Sequence, residues 1–262
     1  MENINLYQNE LFASYSKSKN RLFIIDYDGT LVPFQTYPQL AAPSTLVEEL
    51  LLLLGSDPTN QVCVISGRDK ETLENWLGYL PITLVAEHGG FYKENESEWN
   101  TFFPSPTEWK EKVYPSIQAL VSKFEGSFIE KKHYSIVWHY RTVENKLSEQ
   151  DKNEIMTAMQ SLKTNFGFLL YDEDYALELR TPGIDKGEFV SHYIKGKPQF
   201  DFVLAIGDGQ TDEDLFHAIP EAHYSIRVGN ASNSAAKFYV DKQSDVQHLL
   251  AELIRSAEKV LV

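Results

Sequence analysis

Short apolar runs that end in polar or glycine-containing turns recur along this chain. Residues 22–25 lead into Asp26-Tyr27-Asp28-Gly29-Thr30, and 62–65 into Ser66-Gly67-Arg68. Residues 84–86 lead into Glu87-His88-Gly89-Gly90, 202–206 into Gly207-Asp208-Gly209, and 224–228 into Gly229-Asn230. A continuous apolar run bounded by a turn is the pattern of a parallel strand buried on both faces. Helical patterns lie between several of these runs. One opens at Pro43-Ser44-Thr45 and continues to about Leu54, with Thr45 and Glu48 at capping-box spacing. Asp69 is expected to cap a helix ending near Leu77, with Gly78 after it. Strands alternating with helices predict an α/β fold with a doubly wound parallel sheet.

The alternation breaks between about residues 104 and 182. A helical pattern over 107–124 stops at Gly126, and strand patterns follow at 127–131 and 135–141. A second helix is expected over 148–166, then a hairpin of 168–171 and 175–180 around Asp172-Glu173-Asp174. A helix, two strands, a helix and two strands make a compact antiparallel α+β layer, unlike its surroundings. The chain therefore reads as a core of 1–105 and 183–262 with an inserted α+β cap domain of 106–182. Linkers are expected near 103–106 and 181–185.

Bulk properties narrow the partners. The 262 residues carry 24 Lys and Arg against 38 Asp and Glu, a formal charge of −14. Such a field repels nucleic acid and anionic membrane surfaces, so neither is expected as a partner. Cys63, the one cysteine, lies in an apolar strand pattern and reads as a buried hydrophobe. No apolar run approaches a membrane span, and the first residues lack a basic-then-apolar signal pattern, so the expected location is cytoplasmic. The first twenty residues, polar in composition, read as helical.

The turns carry the chemistry. Positions i and i+2 of an extended chain point to one side, so Asp26 and Asp28 project together from a strand's carboxyl end, where open α/β sheets bind ligands. Gly29 allows a sharp turn that brings backbone N–H groups to an anion, and Thr30 belongs to the same phosphate-facing turn. Asp208 leaves a neighbouring strand at the same edge, and carboxylates so placed suit a hard cation such as Mg²⁺. Thr211 is read as the cap of a helix over 212–218, with Asp212, Glu213 and Asp214 favourable at its N-terminus. Asp212 is also read as holding a metal-bound water. Ser66, Gly67 and Arg68 stand where a strand turns into a helix, a ready anion site. Lys186 begins the helix that returns to the core, placed to neutralise phosphate.

Taken in order, DYDGT, SGR, DKG and GDGQTD resemble the four motifs of the haloacid-dehalogenase-like (HAD) phosphatases. Ala86-Glu87-His88-Gly89, Glu130-Lys131-Lys132, Trp138-His139-Tyr140-Arg141 and Glu178-Leu179-Arg180-Thr181-Pro182 narrow the resemblance to the trehalose-6-phosphate phosphatase family. The resemblance implies a Rossmann-like HAD core whose Asp26 attacks phosphorus and whose Asp28 serves as acid and then base. It implies Mg²⁺ held by Asp26, the Asp28 backbone carbonyl and Asp208, and phosphate held by Ser66 and Lys186. Glu130, Lys132, Arg141 and Glu178 match cap positions that grip the disaccharide, and His133 is a further candidate contact. The family usually carries a second Asp where Gly209 stands, and metal binding is expected to survive through Asp208. The resemblance also points to a sugar-phosphate substrate and to a trehalose-6-phosphate synthase as partner. Competing readings are a HAD phosphatase for another sugar phosphate, such as sucrose 6-phosphate or a glucosylglycerol-type phosphate, and a non-catalytic regulatory subunit that binds a sugar phosphate.

Overall fold

The computed structural model describes residues 1–95, 97–104, 108–173, 175–221 and 223–258. It forms two compact units, Met1–Phe102 with Asp185–Val262, and Phe103–Ile184. Ser105, Pro106 and Thr107, where the sequence reading puts a linker and a helix start, lie outside the described residues, as does Asp174.

The first unit is built on an eight-stranded sheet. Its strands are β1 (Glu2–Asn3), β2 (Arg21–Asp26), β3 (Asn60–Ile65), β4 (Thr83–Ala86), β5 (Phe91–Glu94), β10 (Phe202–Gly207), β11 (Tyr224–Val228) and β12 (Phe238–Val240). They lie in the order β1-β12-β11-β10-β2-β3-β4-β5. Every pairing is parallel except β4 with β5. Alternate residues of β2 feed different cores. Phe23 and Ile25 pack in one cluster with Val47, Leu50 and Leu54 of α2 (Thr45–Ser56) and Leu249 and Leu253 of α8 (Gln243–Glu258). Leu22 and Ile24 pack in the other with Phe189 and Val190 of α6 (Lys186–Lys195) and Leu215 of α7 (Thr211–Ala218). Helices on both faces of a mostly parallel sheet are the predicted doubly wound α/β class. The sequence reading missed β1, β5 and β12, which are short or only half-buried and show no apolar run.

Two caps differ from expectation. Helix α2 is capped by Ser44, whose Oγ accepts from the Val47 N–H, rather than by Thr45. Glu48, expected in a capping box, instead accepts from the Tyr79 hydroxyl at 2.6 Å. Thr211 is the first residue of α7 rather than its cap, and Gln210 before it makes no side-chain cap. Asp69 does cap α3 (Lys70–Leu77), accepting from the Thr72 N–H at 2.8 Å. The early segment folds as a 3₁₀ turn, Ile4–Leu6, and helix α1 (Gln8–Lys17).

The second unit has a four-stranded antiparallel sheet of β6 (Phe128–Lys131), β7 (Ser135–His139), β8 (Leu169–Glu173) and β9 (Ala176–Arg180), in the order β6-β7-β9-β8. Ile136, Trp138, Leu177 and Leu179 face α4 (Trp109–Val121) and α5 (Glu149–Phe166), packing with Val113, Ile117, Ile155 and Met159. The opposite face carries the polar side chains, as strand alternation requires. Arg141 lies beyond β7, opening a 3₁₀ segment (Arg141–Lys146), and not on the strand as expected. Among the described residues no helix is long and apolar enough to cross a membrane.

Candidate active site

Asp26 ends β2, the strand between β3 and β10, so it stands where the sheet order reverses. Ile25 pairs with Ile206, which brings the turn after β10 beside the turn after β2. Carboxylate oxygens of Asp26, Asp208 and Asp212 accordingly come within 4.8 Å of one another. The approach depends on two glycines. Gly29 has φ +82°, and a Cβ there would fall 2.3 Å from Asp208 Oδ2. A Cβ on Gly207 would fall 2.2 Å from Asp212 Cγ. Thr30, fully buried, donates its hydroxyl to Asp208 Oδ1 at 3.3 Å.

Lys186 is the first residue of α6 and only 2 % exposed. Its Nζ donates to Asp26 Oδ1 at 2.5 Å and to Asp212 Oδ1 at 2.8 Å. Asp212 Oδ2 accepts the backbone N–H groups of Asp208 and Gly209, each at 3.0 Å. Asp212 thus shapes the turn that carries Asp208, a role beyond complementing a helix dipole. Burial drives the Asp26 pKa well above the ordinary carboxylate value, and Asp212 and Asp208 push it the same way against Lys186. Burial also pulls Lys186 down, but Asp212 and Asp26 outweigh it and hold the ammonium charged. Asp26, Asp208 and Asp212 thus set three carboxyl groups against one ammonium, an oxygen donor set that suits a hard divalent cation.

The Asp28 carboxylate is paired with Arg68. Arg68 Nε and Nη2 donate to Asp28 Oδ2 and Oδ1 at 2.9 and 2.6 Å, a bidentate fork. The third donor, Nη1, goes to the Pro38 carbonyl at 2.7 Å. Arg68, expected among the phosphate ligands, is therefore engaged by a carboxylate. Ser66 is buried, and its Oγ accepts the Arg68 N–H at 3.2 Å. Beneath this turn, the Glu87 and His88 N–H groups donate to the carbonyls of Arg68 and Ser66. Both residues have positive φ, 48° and 58°, an uncommon conformation for residues with side chains. The His88 ring lies against Gly67.

A further network supports the Asp208 turn. Arg227 Nη1 donates to the Gly209 carbonyl at 3.1 Å and to Glu213 Oε1 at 2.5 Å. Glu213 Oε2 accepts from Ser234 Oγ and from the Ala235 N–H. Read only as an N-terminal charge from the sequence, Glu213 ties this turn to the β11–β12 connection. Only the β10–β11 pairing, which sets Gly207 beside Arg227, brings the two together.

In the second unit, Glu130, Val137, Glu178 and Tyr171 form one rung across β6, β7, β9 and β8. Glu130 and Glu178 thus share one face of the sheet. Glu130 Oε2 lies 2.8 Å from His139 Nε2 and 3.7 Å from Lys132 Nζ. Burial would raise the Glu130 pKa, but Lys132 and His139 bring it down to about 2. His139, whose ring also stacks on Phe128, was not among the expected sugar contacts. The Arg141 guanidinium sits 4.7 Å over the Tyr175 ring, and the exposed His133 packs edge-on to Tyr134.

The family model described as trehalose-phosphatase matches residues 24–245. The bifunctional trehalose-6-phosphate synthase/phosphatase of Thermoproteus tenax is 34 % identical over 93 % of this chain and 33 % of its own length. The trehalose-phosphatase of Saccharomyces cerevisiae is 36 % identical over 80 % of this chain and 26 % of its own. The chain thus spans about a quarter to a third of the curated relatives it matches. The solved C-terminal domain of C. albicans trehalose-6-phosphate phosphatase superposes with a TM-score of 0.86 at 30 % identity, covering 97 % of this chain and 98 % of that one. Haloacid-dehalogenase-like hydrolases at 15 and 17 % identity share the fold. The matched segment holds the Asp26, Ser66, Lys186 and Asp208 turns together with the whole second unit, and the chain belongs to the trehalose-phosphatase family.

Proposed function

We propose that this chain hydrolyses trehalose 6-phosphate to trehalose and phosphate through a phosphorylated Asp26. The observation that carries the reading is the buried Asp26–Lys186–Asp212 cluster with Asp208 at its edge, at the carboxyl ends of adjacent strands in a chain of this family. Asp26 attacks phosphorus as the bond to the sugar oxygen breaks, and Asp28 gives that oxygen a proton. Asp28 then takes a proton from the water that attacks the aspartyl-phosphate, which frees phosphate and restores the Asp26 carboxylate. Asp26, Asp208 and the Asp28 backbone carbonyl would hold Mg²⁺, with Asp212 acting through a water. When bound, Mg²⁺ offsets the repulsion between carboxylate and phosphate that otherwise opposes attack.

Lys186, Ser66 and the N–H groups of Gly29, Thr30 and Gly67 are the phosphate donors in this reading. Lys186 then moves from pairing two carboxylates to sharing its charge with the transferring group. The second unit acts as the cap that selects the sugar. Glu130 and Glu178 accept from sugar hydroxyls, while Lys132 and Arg141 donate, with His133 alongside. Because the Thermoproteus tenax relative is named as synthase and phosphatase in one chain, a trehalose-6-phosphate synthase is the expected partner.

Phosphate release from trehalose 6-phosphate, sucrose 6-phosphate and glucose 6-phosphate, with and without Mg²⁺, tests the reading. Trehalose 6-phosphate should turn over fastest, and only with the metal. Turnover no better than that of glucose 6-phosphate would remove the sugar assignment, and full activity in Asp26→Asn would remove the phosphoaspartyl route.

A further inference from the structure

Arg68 has no task in that scheme, yet it is among the most firmly held side chains of the site. Its guanidinium grips Asp28 through both carboxylate oxygens, at 2.6 and 2.9 Å, and is itself fixed from behind by the Pro38 carbonyl at 2.7 Å. The guanidinium carbon lies 4.7 Å from the Trp76 ring centre and 5.8 Å from that of Tyr27. Tyr27 and Trp76 stack on each other at 5.7 Å, and the Tyr27 hydroxyl donates to the Ala41 carbonyl at 2.8 Å. The Arg68 backbone is pinned as well, its N–H by Ser66 Oγ and its carbonyl by the Glu87 N–H. Only 12 % of the Arg68 side chain is exposed, against 25 % for Asp28.

This is the geometry of a holder. A planar fork that meets both oxygens of a carboxylate fixes its position and also the rotation of its plane, which a single ammonium does not. The aromatic shelf and the Pro38 carbonyl fix the fork in turn. The same donors cannot form a bidentate pair with a phosphate while they grip Asp28.

We propose that Arg68 is a positioning residue that acts through Asp28, setting its carboxylate for proton transfer, and does not bind the transferring phosphoryl group. The inference rests on the reading of Asp28 as acid and base, and it gives Arg68 a role other than the phosphate ligand expected from the sequence. Sub-ångström placement is what proton transfer to a sugar oxygen needs, and an error of 1 Å there costs on the order of 100-fold in rate.

The test is a double-mutant cycle of Arg68→Ala and Asp28→Asn, run with the Mg²⁺-loaded full chain on whichever ester of the panel the wild type hydrolyses. Arg68→Ala should lower kcat on the order of 100-fold while KM and inhibition by inorganic phosphate stay within about 2-fold. In the Asp28→Asn background the same change should cost almost nothing, because its target is gone. Arg68→Lys should restore little, since it keeps the charge and loses the fork. Arg68→Gln serves in the cycle if the alanine variant fails to fold, as judged by its melting curve. A loss of phosphate inhibition in step with kcat/KM would make Arg68 a phosphate ligand and overturn the proposal. An equal cost in both backgrounds, or no cost in either, would overturn it as well. Failure of the wild type on trehalose 6-phosphate would sink the sugar reading alone, because the cycle remains decidable on another ester.

Discussion

Removing the Lys186 ammonium is the most direct probe of the buried cluster. Lys186→Met keeps the length and apolar stem but leaves Asp26 and Asp212, 5 % and 1 % exposed, without the cation that bridges them at 2.5 and 2.8 Å. Breaking a buried ion pair by deleting one partner costs about 3–5 kcal/mol, because the remaining charge stays desolvated. In a chain of this size that corresponds to a fall in melting temperature on the order of 10 °C. The pH dependence follows from the sign of the Asp26 shift. Burial already lifts the Asp26 pKa, and Lys186 is the influence that lowers it, so the variant should lift it further. A carboxyl whose folded pKa lies above its unfolded value stabilises the fold below the unfolded value, and that contribution is lost as pH rises through the folded value. The deficit against the wild type should therefore be largest near pH 8 and shrink toward pH 5. Millimolar Mg²⁺ should raise the melting temperature of the variant more than that of the wild type, since its carboxyl groups have lost the ammonium that offsets them. Scanning fluorimetry across pH, with Mg²⁺ or EDTA, measures both effects. A melting temperature within 2 °C of wild type at pH 8, with no added response to Mg²⁺, would refute the electrostatic argument.

Two further outcomes can be checked. Gly29→Ala places a Cβ 2.3 Å from Asp208 Oδ2 and asks alanine for a φ of +82°, so Asp208 must move. The variant should lose about 1–2 kcal/mol of stability from the backbone alone and need more Mg²⁺ for half-maximal activity, both read by melting and metal titration. Glu130, held at about 2 against an ordinary 4.5, stabilises the fold above the unfolded value and loses that contribution as pH falls toward 2. With a side chain 30 % exposed, screening limits the effect to about 1 kcal/mol. Glu130→Gln should flatten acid unfolding over that window, and a superimposable pH profile would contradict the pairing.

The turns of the core were legible because they are local. An apolar run that stops at Asp26, Ser66 or Asp208 encodes its strand and the side chain at its end within ten residues, and the paired sheet then only has to align them. Elements with weak patterns escaped for the same reason. Strands β1, β5 and β12 have two to four residues and are not buried runs, so their pairing depends on neighbours far along the chain. The expected caps Thr45 and Thr211 each missed the helix boundary by one residue, the distance over which local geometry rather than composition decides.

Partnership is where the sequence stopped. It supplied an Asp, an Arg, a Lys and an acidic helix start, each able to pair with substrate, solvent or one another. The sheet register decided among these options. It put Lys186 between Asp26 and Asp212, 160 and 26 positions away, and Arg68 on Asp28, 40 positions away. It also put Glu130 beside His139 and made Asp212 the acceptor that folds the Asp208 turn. The physical reason is one of range. Hydrophobic period and turn chemistry act over a few residues and are written along the chain, whereas which charges neutralise each other in a dry interior depends on which strands and helices lie adjacent. The sequence by itself determined the fold class and the residues at the strand ends; only the tertiary structure decided which of them hold one another in place.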